Sequence, residues 1–460
     1  MIVLKRQNLG FAAAIMFYLL AGSASGQAIL QEQPSKQSPV IGQDATNFVH
    51  PGVAHRAEDI AFVKEKIKLG QEPWAGALAG LKRSPRASVN YKPSPREHVE
   101  RGPYNNPNIG SSEFSDDAKA AYVHALLWAI DGDEAHAEKA SEIIGAWSET
   151  LKSIGNHDAR LLIGMSGYQF CVAAELLKHT WDGWPVAGQD RFAKMIREQW
   201  YPMVKEFYPT ANGNWDASMM QVIIAMGVFL EDREMVDGVV AYFREGKGNG
   251  AIGNYFNDFG QCQESGRDQS HTQMGLEFLS NTCQTAWIQG MDLYGAKENR
   301  LQLGFEYTAK YNLGHEVPYE RYISYEGRYD YPKISEDARG RLRPMYEKIL
   351  RHYQEQQGID SPYTAQAVAM LRTGQTRVRR GRRDRERNED RDEQRDRDRS
   401  GARESDRGED GNRDGDSARA RESNRNRDRS RRRRGRGRDR SMNYIDILMF
   451  AAQADVDSED

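Results

Sequence analysis

The sequence predicts an all-α protein, an α/α toroid built as an incomplete barrel of helical hairpins and followed by a disordered charged tail. Three observations lead there. Apolar residues recur every three to four positions through most of the middle of the chain, as an α-helix with one buried face requires. Several of these segments are apolar around most of their circumference, which suits an inner layer covered by an outer one. Gly, Asp or Asn punctuate the joins, and helices joined by such short turns pack as antiparallel pairs.

The helical segments follow in order: "DDAKAAYVHALLWAIDG", "EAHAEKASEIIGAWSETL", "RLLIGMSGYQFCVAAELLKHTW", "DASMMQVIIAMGVFLED", "REMVDGVVAYFREG" and "HTQMGLEFLSNTCQTAWIQGMDLYG". The stretch from Glu316 to Pro332, "EVPYERYISYEGRYDYP", breaks the pattern. It is aromatic and basic with little helical period, and reads as an ordered loop beside a cleft. Residues 27–372, the predicted folded domain, are ample for a large core.

Both ends differ from this middle. Residues 1–26 carry Lys5 and Arg6, an apolar run from Phe11 to Ala21 and small residues up to Gly26, the pattern of a secretory signal peptide. The apolar run is too short for a membrane span of roughly twenty residues, so no transmembrane span is expected after cleavage and the protein is expected to be secreted or periplasmic. Residues 373–441 form the low-complexity tail, in which 26 Arg face 17 acids between Arg377 and Arg440. Such a segment buries too little apolar surface to offset its ordering entropy. A solvated spacer is the first reading, and electrostatic contact with acidic polysaccharide or an envelope surface is the second. Nucleic acid is not an expected partner, because interleaved acids weaken phosphate contacts. Residues 442–460, which begin "MNYIDILMF", can form one short amphipathic helix of unassigned role.

The chemistry is narrowed first by what is missing. There is no Gly-rich phosphate loop, no two-histidine zinc pattern and no serine elbow. No cofactor or metal is expected. The three cysteines, Cys171, Cys262 and Cys283, lack metal-ligand spacing. Cys171 lies in an apolar run and is expected to be buried, while a bridge between Cys262 and Cys283 is open in an oxidising compartment. Scattered carboxylates, Asp116, Asp117, Asp216, Glu264 and Asp268, offer the pair a glycosidase would need.

Three polar motifs remain: "NGNWDASMM" at 212–220, "ESGRDQSH" at 264–271 and the tyrosine-rich loop. Arg267 and His271 stand four apart, on one helical face if the helix has begun. Read as isolated residues, Asn214 is as well explained as a helix cap, Arg267 as a surface ion pair and His271 as a structural histidine. Tyr104, in "RGPYNNPN", sits in a Pro- and Asn-rich loop that either lines the cleft or merely connects.

Taken together, "HPGVAHRAEDIAFVKEKIKLGQEPWAGAL", "FSDDAKAAYVHALLWAIDGDEAHAEKA", "GNWDASMM", "QCQESGRDQSHTQMGL" and "LYGAKENRLQLGFEYTAKYNLG" resemble the alginate lyase superfamily. They are most similar to the glucuronan and alginate lyases of polysaccharide lyase family 38. The resemblance implies an α/α toroid with a cleft or tunnel, an anionic polysaccharide substrate and metal-independent β-elimination, giving 4,5-unsaturated uronate ends. The residues suit that chemistry. Asn214 and Arg267 can neutralise the uronate carboxylate, His271 can serve as base and Tyr329 as acid. The opposite base and acid assignment stays open, because the family's histidine after asparagine is replaced here by Trp215. Trp215, Glu264, Gln269, Tyr322, Tyr325 and Tyr104 complete the expected site as substrate-binding groups. Two other classes compete: a glycoside hydrolase on the same toroid, and a non-catalytic envelope protein that binds acidic polysaccharide.

Overall fold

The computed structural model describes residues 47–375 and 440–451. The expected signal peptide and nearly all of the charged tail lie outside the described residues. The helices are α1 (Ala57–Lys68), α2 (Trp74–Lys82), α3 (Ser111–Asp131), α4 (Glu134–Thr150), α5 (Ala159–Leu162), α6 (Tyr168–Thr180), α7 (Val186–Met195) and α8 (Tyr201–Val204). There follow α9 (Asn214–Leu230), α10 (Arg233–Glu245), α11 (Ile252–Tyr255), α12 (Gln269–Ile288), α13 (Ala296–Asn312), α14 (Glu347–Leu350), α15 (Pro362–Arg372) and α16 (Ser441–Phe450).

Helices α3, α6, α9 and α12 pack side by side as the inner layer of the toroid, while α4, α7, α10 and α13 cover them from outside. Burial divides the layers as the sequence pattern requires. In α9 every residue from Asp216 to Phe229 is buried, whereas outer α10 buries only Met235, Val236, Val239 and Phe243. A helix apolar all round has no stable place except between neighbours. Helix α3 stops at Gly132, whose φ of +72° closes the last turn onto the Trp128 carbonyl, a conformation in which a side chain costs strain.

Short strands, which helical periodicity does not announce, carry two of the loops. Strand β1 (His98–Arg101) pairs antiparallel with β2 (Asn108–Ile109) and parallel with β3 (Ser153–Gly155). Strands β4 (Tyr322–Ile323) and β5 (Asp330–Tyr331) form a hairpin, with Tyr322 opposite Tyr331. The expected ordered tyrosine loop is therefore this hairpin.

The segment read from sequence as a separate end piece is part of the toroid. Helix α16 packs on α2, α1 and α14 and bridges the gap between the first and last helices of the ring. It buries Ile445, Ile447, Leu448, Met449 and Phe450, at roughly 1.5–3 kcal/mol for each large apolar side chain. All three cysteines are free and buried, so the bridge left open between Cys262 and Cys283 is not formed. No helix among the described residues is long and apolar enough to cross a membrane.

Candidate active site

The site is built where the N-terminal ends of α9 and α12 meet the tyrosine hairpin. Two segments are first locked together: Gly213 N–H donates to Gln263 Oε1 at 2.9 Å, and Gln263 Nε2 donates to Asn212 Oδ1 at 3.0 Å. The same Asn212 oxygen accepts from the Tyr331 hydroxyl at 3.1 Å. "NGNWD", "QCQESGRD" and the hairpin thus share one buried oxygen.

Asn214 is the first residue of α9 and not its cap, since Gly213 holds that position and no side chain caps the helix. The Asn214 side chain is buried, and its Oδ1 has no hydrogen-bond partner among the described residues. A buried amide oxygen left unpaired costs roughly 1–3 kcal/mol. The simple capping role is thereby removed.

At α12, Asp268 is the N-cap, and its Oδ1 accepts the His271 main-chain N–H at 2.8 Å. Its Oδ2 accepts from His271 Nδ1 at 2.5 Å. In the neutral ring that bond fixes the proton on Nδ1, so that Nε2 of the half-exposed imidazole carries the lone pair. Burial alone would raise the Asp268 pKa, but the hydrogen bonds from His271 and the nearby Arg267 guanidinium hold it below the ordinary carboxylate value.

Arg267 donates to the fully buried Glu264 at 3.0 Å. Burial pushes Glu264 up to about 7, against the opposing pull of Arg267. Tyr255, whose hydroxyl donates to the other Glu264 oxygen at 3.2 Å, supports the pair from below. This route exists because α12 has Gly275 there: a Cβ would stand 1.7 Å from the Tyr255 hydroxyl. Gly266 serves similarly, since a Cβ would come within 2.4 Å of Tyr331 Cβ. Burial, reinforced by Glu264, pushes the Tyr331 hydroxyl up to about 12.

Trp215 continues the site on the other side. Half-buried, it meets the ring edges of His157 and Tyr208 at centroid distances of 5.3 and 5.9 Å. The exposed His157 holds Asp158 through Nδ1 at 2.6 Å, the same arrangement as His271 with Asp268. Arg328 donates to the Tyr208 hydroxyl at 2.9 Å and lies over the Tyr208 and Tyr329 rings. Arg101, beside Asp158, has a buried Nη1 with no hydrogen-bond partner among the described residues. The face therefore carries three guanidinium groups and two oriented imidazoles.

Of the residues expected from sequence, Asn214, Trp215, Arg267 and His271 line this face together. Tyr329 is next to it, stacked on Tyr331 at 6.1 Å, but Tyr331 holds the position beside Arg267, Glu264 and Asn212. Several expected sugar contacts are corrected. Gln269 is buried with its nitrogen on the Ser265 and Ser335 carbonyls and its oxygen on Asn312; nothing is left for a ligand. Glu264 is sealed beneath Arg267 and acts on that residue, not on a sugar. The Tyr322 hydroxyl is used on the Asn254 carbonyl at 2.6 Å, whereas Tyr325 is held through its main-chain N–H to Asn249, a bond that does not involve its partly exposed ring. Tyr104 is fully exposed at a loop tip.

Sequence reasoning assigned no role to Tyr331, Asn212, Tyr208, Arg101 or His157. Three of the five carboxylates offered to a hydrolase are committed elsewhere, while Glu264 and Asp268 hold Arg267 and His271. Asp216 accepts from Tyr242 and the Tyr208 main chain, Asp117 from Tyr91, Ser94 and Trp147, and Asp116 pairs with Arg86. A cavity of about 380 Å³ lies elsewhere, between α3, α6, α9, α12 and α16, lined among others by Lys119, Gln221, Glu277, Asn281 and Lys348. None of the cluster residues borders it.

The alginate lyase family model matches residues 70–317. The chain belongs to the alginate lyase family and is a polysaccharide lyase. Among solved structures, an alginate lyase from Bacteroides ovatus is 17% identical with a TM-score of 0.49, the match covering 72% of this chain and 97% of that one. An alginate lyase from Sphingomonas species A1 is 13% identical with a TM-score of 0.49, over 68% of this chain and 91% of the other. No curated protein matches the chain. The family match ends before the hairpin, so the part played by Tyr331 rests on geometry.

Proposed function

We propose that this chain is an exported lyase that cleaves a uronic acid polymer, of the alginate or glucuronan type, by metal-independent β-elimination. The observation that carries the reading is the pair of contacts on one turn of chain, Glu264 with Arg267 and Asp268 with His271. One supplies a positive charge for a uronate carboxylate; the other holds an imidazole in a fixed orientation to act as base.

The hydrogen on carbon 5 is weakly acidic, and hydrogen bonding or positive charge on the adjacent carboxylate makes its removal feasible. Arg267 and the Asn214 amide take that part. His271 Nε2 removes the proton, the electron pair forms the double bond between carbons 4 and 5, and the bond from carbon 4 to the glycosidic oxygen breaks. Tyr331 hands its proton to the departing oxygen. Its raised pKa suits a group that must be protonated before the step. Trp215 and Tyr329 offer flat faces to sugar rings, and Arg328 and Arg101 offer charge to neighbouring uronates.

The pattern of residues 1–26 supports export, and a uronate polymer outside the cytoplasm fits that reading. The test is incubation of mature protein with polymannuronate, polyguluronate and glucuronan, following ultraviolet absorbance of the conjugated product with a chelator present. Absorbance should rise on one polymer. New reducing ends without absorbance would replace the lyase reading with hydrolysis.

A further inference from the structure

At the opposite end of the toroid, three side chains with no part in the site above converge: His50, Glu175 and His179. One ligand atom from each lies within 4.8 Å of the other two. Glu175 and His179 are one helical turn apart on α6 and therefore share a face. His50 comes from the extended segment before α1. Its Nδ1 is 2.6 Å from Glu175 Oε1, and its ring stacks on that of His179 at 4.0 Å.

The cluster is incomplete as it stands. Glu175 is 1% exposed, yet its Oε2 has no hydrogen-bond partner among the described residues, and neither does His179 Nε2, 3.7 Å away. With the ring proton on Nδ1, His179 Nε2 and Glu175 Oε2 are two facing acceptors without a shared donor, which is costly when buried. A cation between them satisfies both, and a metal ion replacing the proton between His50 and Glu175 reaches all three. We propose that His50, Glu175 and His179 bind a divalent transition ion of the zinc class, with water as fourth ligand.

Two imidazoles and one carboxylate form a set that zinc favours, with bonds of about 2.0–2.2 Å. The ligand atoms must adjust to separations of about 3.4 Å, with His50 Nδ1 moving off Glu175 Oε1 and His179 Nε2 closing slightly on Oε2, and the side chains of His50 and His179, 16% and 21% exposed, have room to do so. The same exposure admits the ion and its water. The surroundings suit a dication: Glu231 lies 3.8 Å from His50 Nε2, and Lys178 is neutralised by that same carboxylate. The outer support is present too, since Gly52 N–H donates to Glu175 Oε1 at 3.0 Å.

The position gives the ion a structural role. Glu231 caps the C-terminal end of α9, while Asn214 begins it, so the two ends are separated by about 25 Å at 1.5 Å per residue. The segment bearing His50 already crosses the end of α12, where Gln289 bonds the Val49 and Gly52 carbonyls and Thr285 bonds that of Val53. An ion at His50 fastens the same segment to α6. It closes the far end of the inner ring without touching the reacting sugar.

The test uses tag-free mature protein stripped with chelator and reloaded with zinc alone, with bound metal measured by mass spectrometry and unfolding followed by calorimetry. Wild type should retain one equivalent and unfold at a higher temperature when loaded. Glu175→Gln and His50→Asn should each lose that equivalent and its thermal gain, with turnover of stripped wild type within about twofold of loaded. His50→Asn, on a partly exposed side chain, keeps the comparison available if Glu175→Gln does not fold. No retained zinc in wild type, or the same zinc and thermal response in wild type and His50→Asn, would overturn the proposal.

Discussion

Asp268 holds His271 twice, by the main-chain N–H at 2.8 Å and by Nδ1 at 2.5 Å. The helix cap and the orientation of the imidazole are one interaction. Because the carboxylate that starts α12 also orients His271, the proposed base is positioned by folding itself.

Replacing Tyr331 with Phe should lower kcat by about a hundredfold or more, the range for loss of a general acid. Tyr329→Phe keeps the ring and should alter kcat by less than about threefold, with any larger change confined to KM. Steady-state kinetics of the two variants decides which tyrosine protonates the leaving group.

Glu264 gives the site a pH dependence. Its pKa is raised from 4.5 to about 7 by burial, so below that pH the carboxyl is neutral and the charge of Arg267 is free for a uronate. Above it the Glu264 anion competes with substrate. KM should therefore rise between pH 6 and 8 by about three- to tenfold, and the rise should vanish in Glu264→Gln. The same shift means that the unfolded chain releases this proton at lower pH than the folded one. Stability contributed by the neutral carboxyl is accordingly complete below about 4.5 and lost as pH rises through about 7, and Glu264→Gln should flatten that slope in calorimetric scans.

Gly275→Ala places a methyl group where the Tyr255 hydroxyl now lies. The displaced ring loses its bond to Glu264 inside a packed interior, at a cost of about 1–3 kcal/mol or more. Denaturant titration should show the loss. An unchanged midpoint would mean that Tyr255 has another place to go.

Helix α16 closes the ring through five buried apolar residues, so removing residues 441–460 should lower the unfolding temperature by about 10 °C or more. Leu448→Asp should do most of the same damage. If both are neutral, the helix is not part of the domain's core.

The helices were legible because burial repeats with the period of the backbone: "DASMMQVIIAMGVFLED" has no polar face long enough to meet water, so it must be an inner helix. Strands of two to four residues carry no such period, and β1, β3 and the hairpin escaped notice. Within the site, Arg267 and His271 could be read together because they are one helical turn apart in sequence. Tyr331 could not be told from Tyr329, since only the β4 to β5 register shows which of them covers Gly266. The contact of His157 with Trp215 joins residues 58 positions apart, which no local pattern reports. Helix α16 was obscured by the charged stretch before it, although its apolar run was the signal.

The most direct test compares His271→Ala with His157→Ala on the polymer that wild type cleaves, by initial rate of ultraviolet absorbance. The account predicts that His271→Ala loses about a thousandfold in kcat, while His157→Ala keeps kcat within about tenfold and changes mainly KM. Retained turnover in His271→Ala together with its loss in His157→Ala would contradict the assignment of the base and move the chemistry to the Trp215 side of the site.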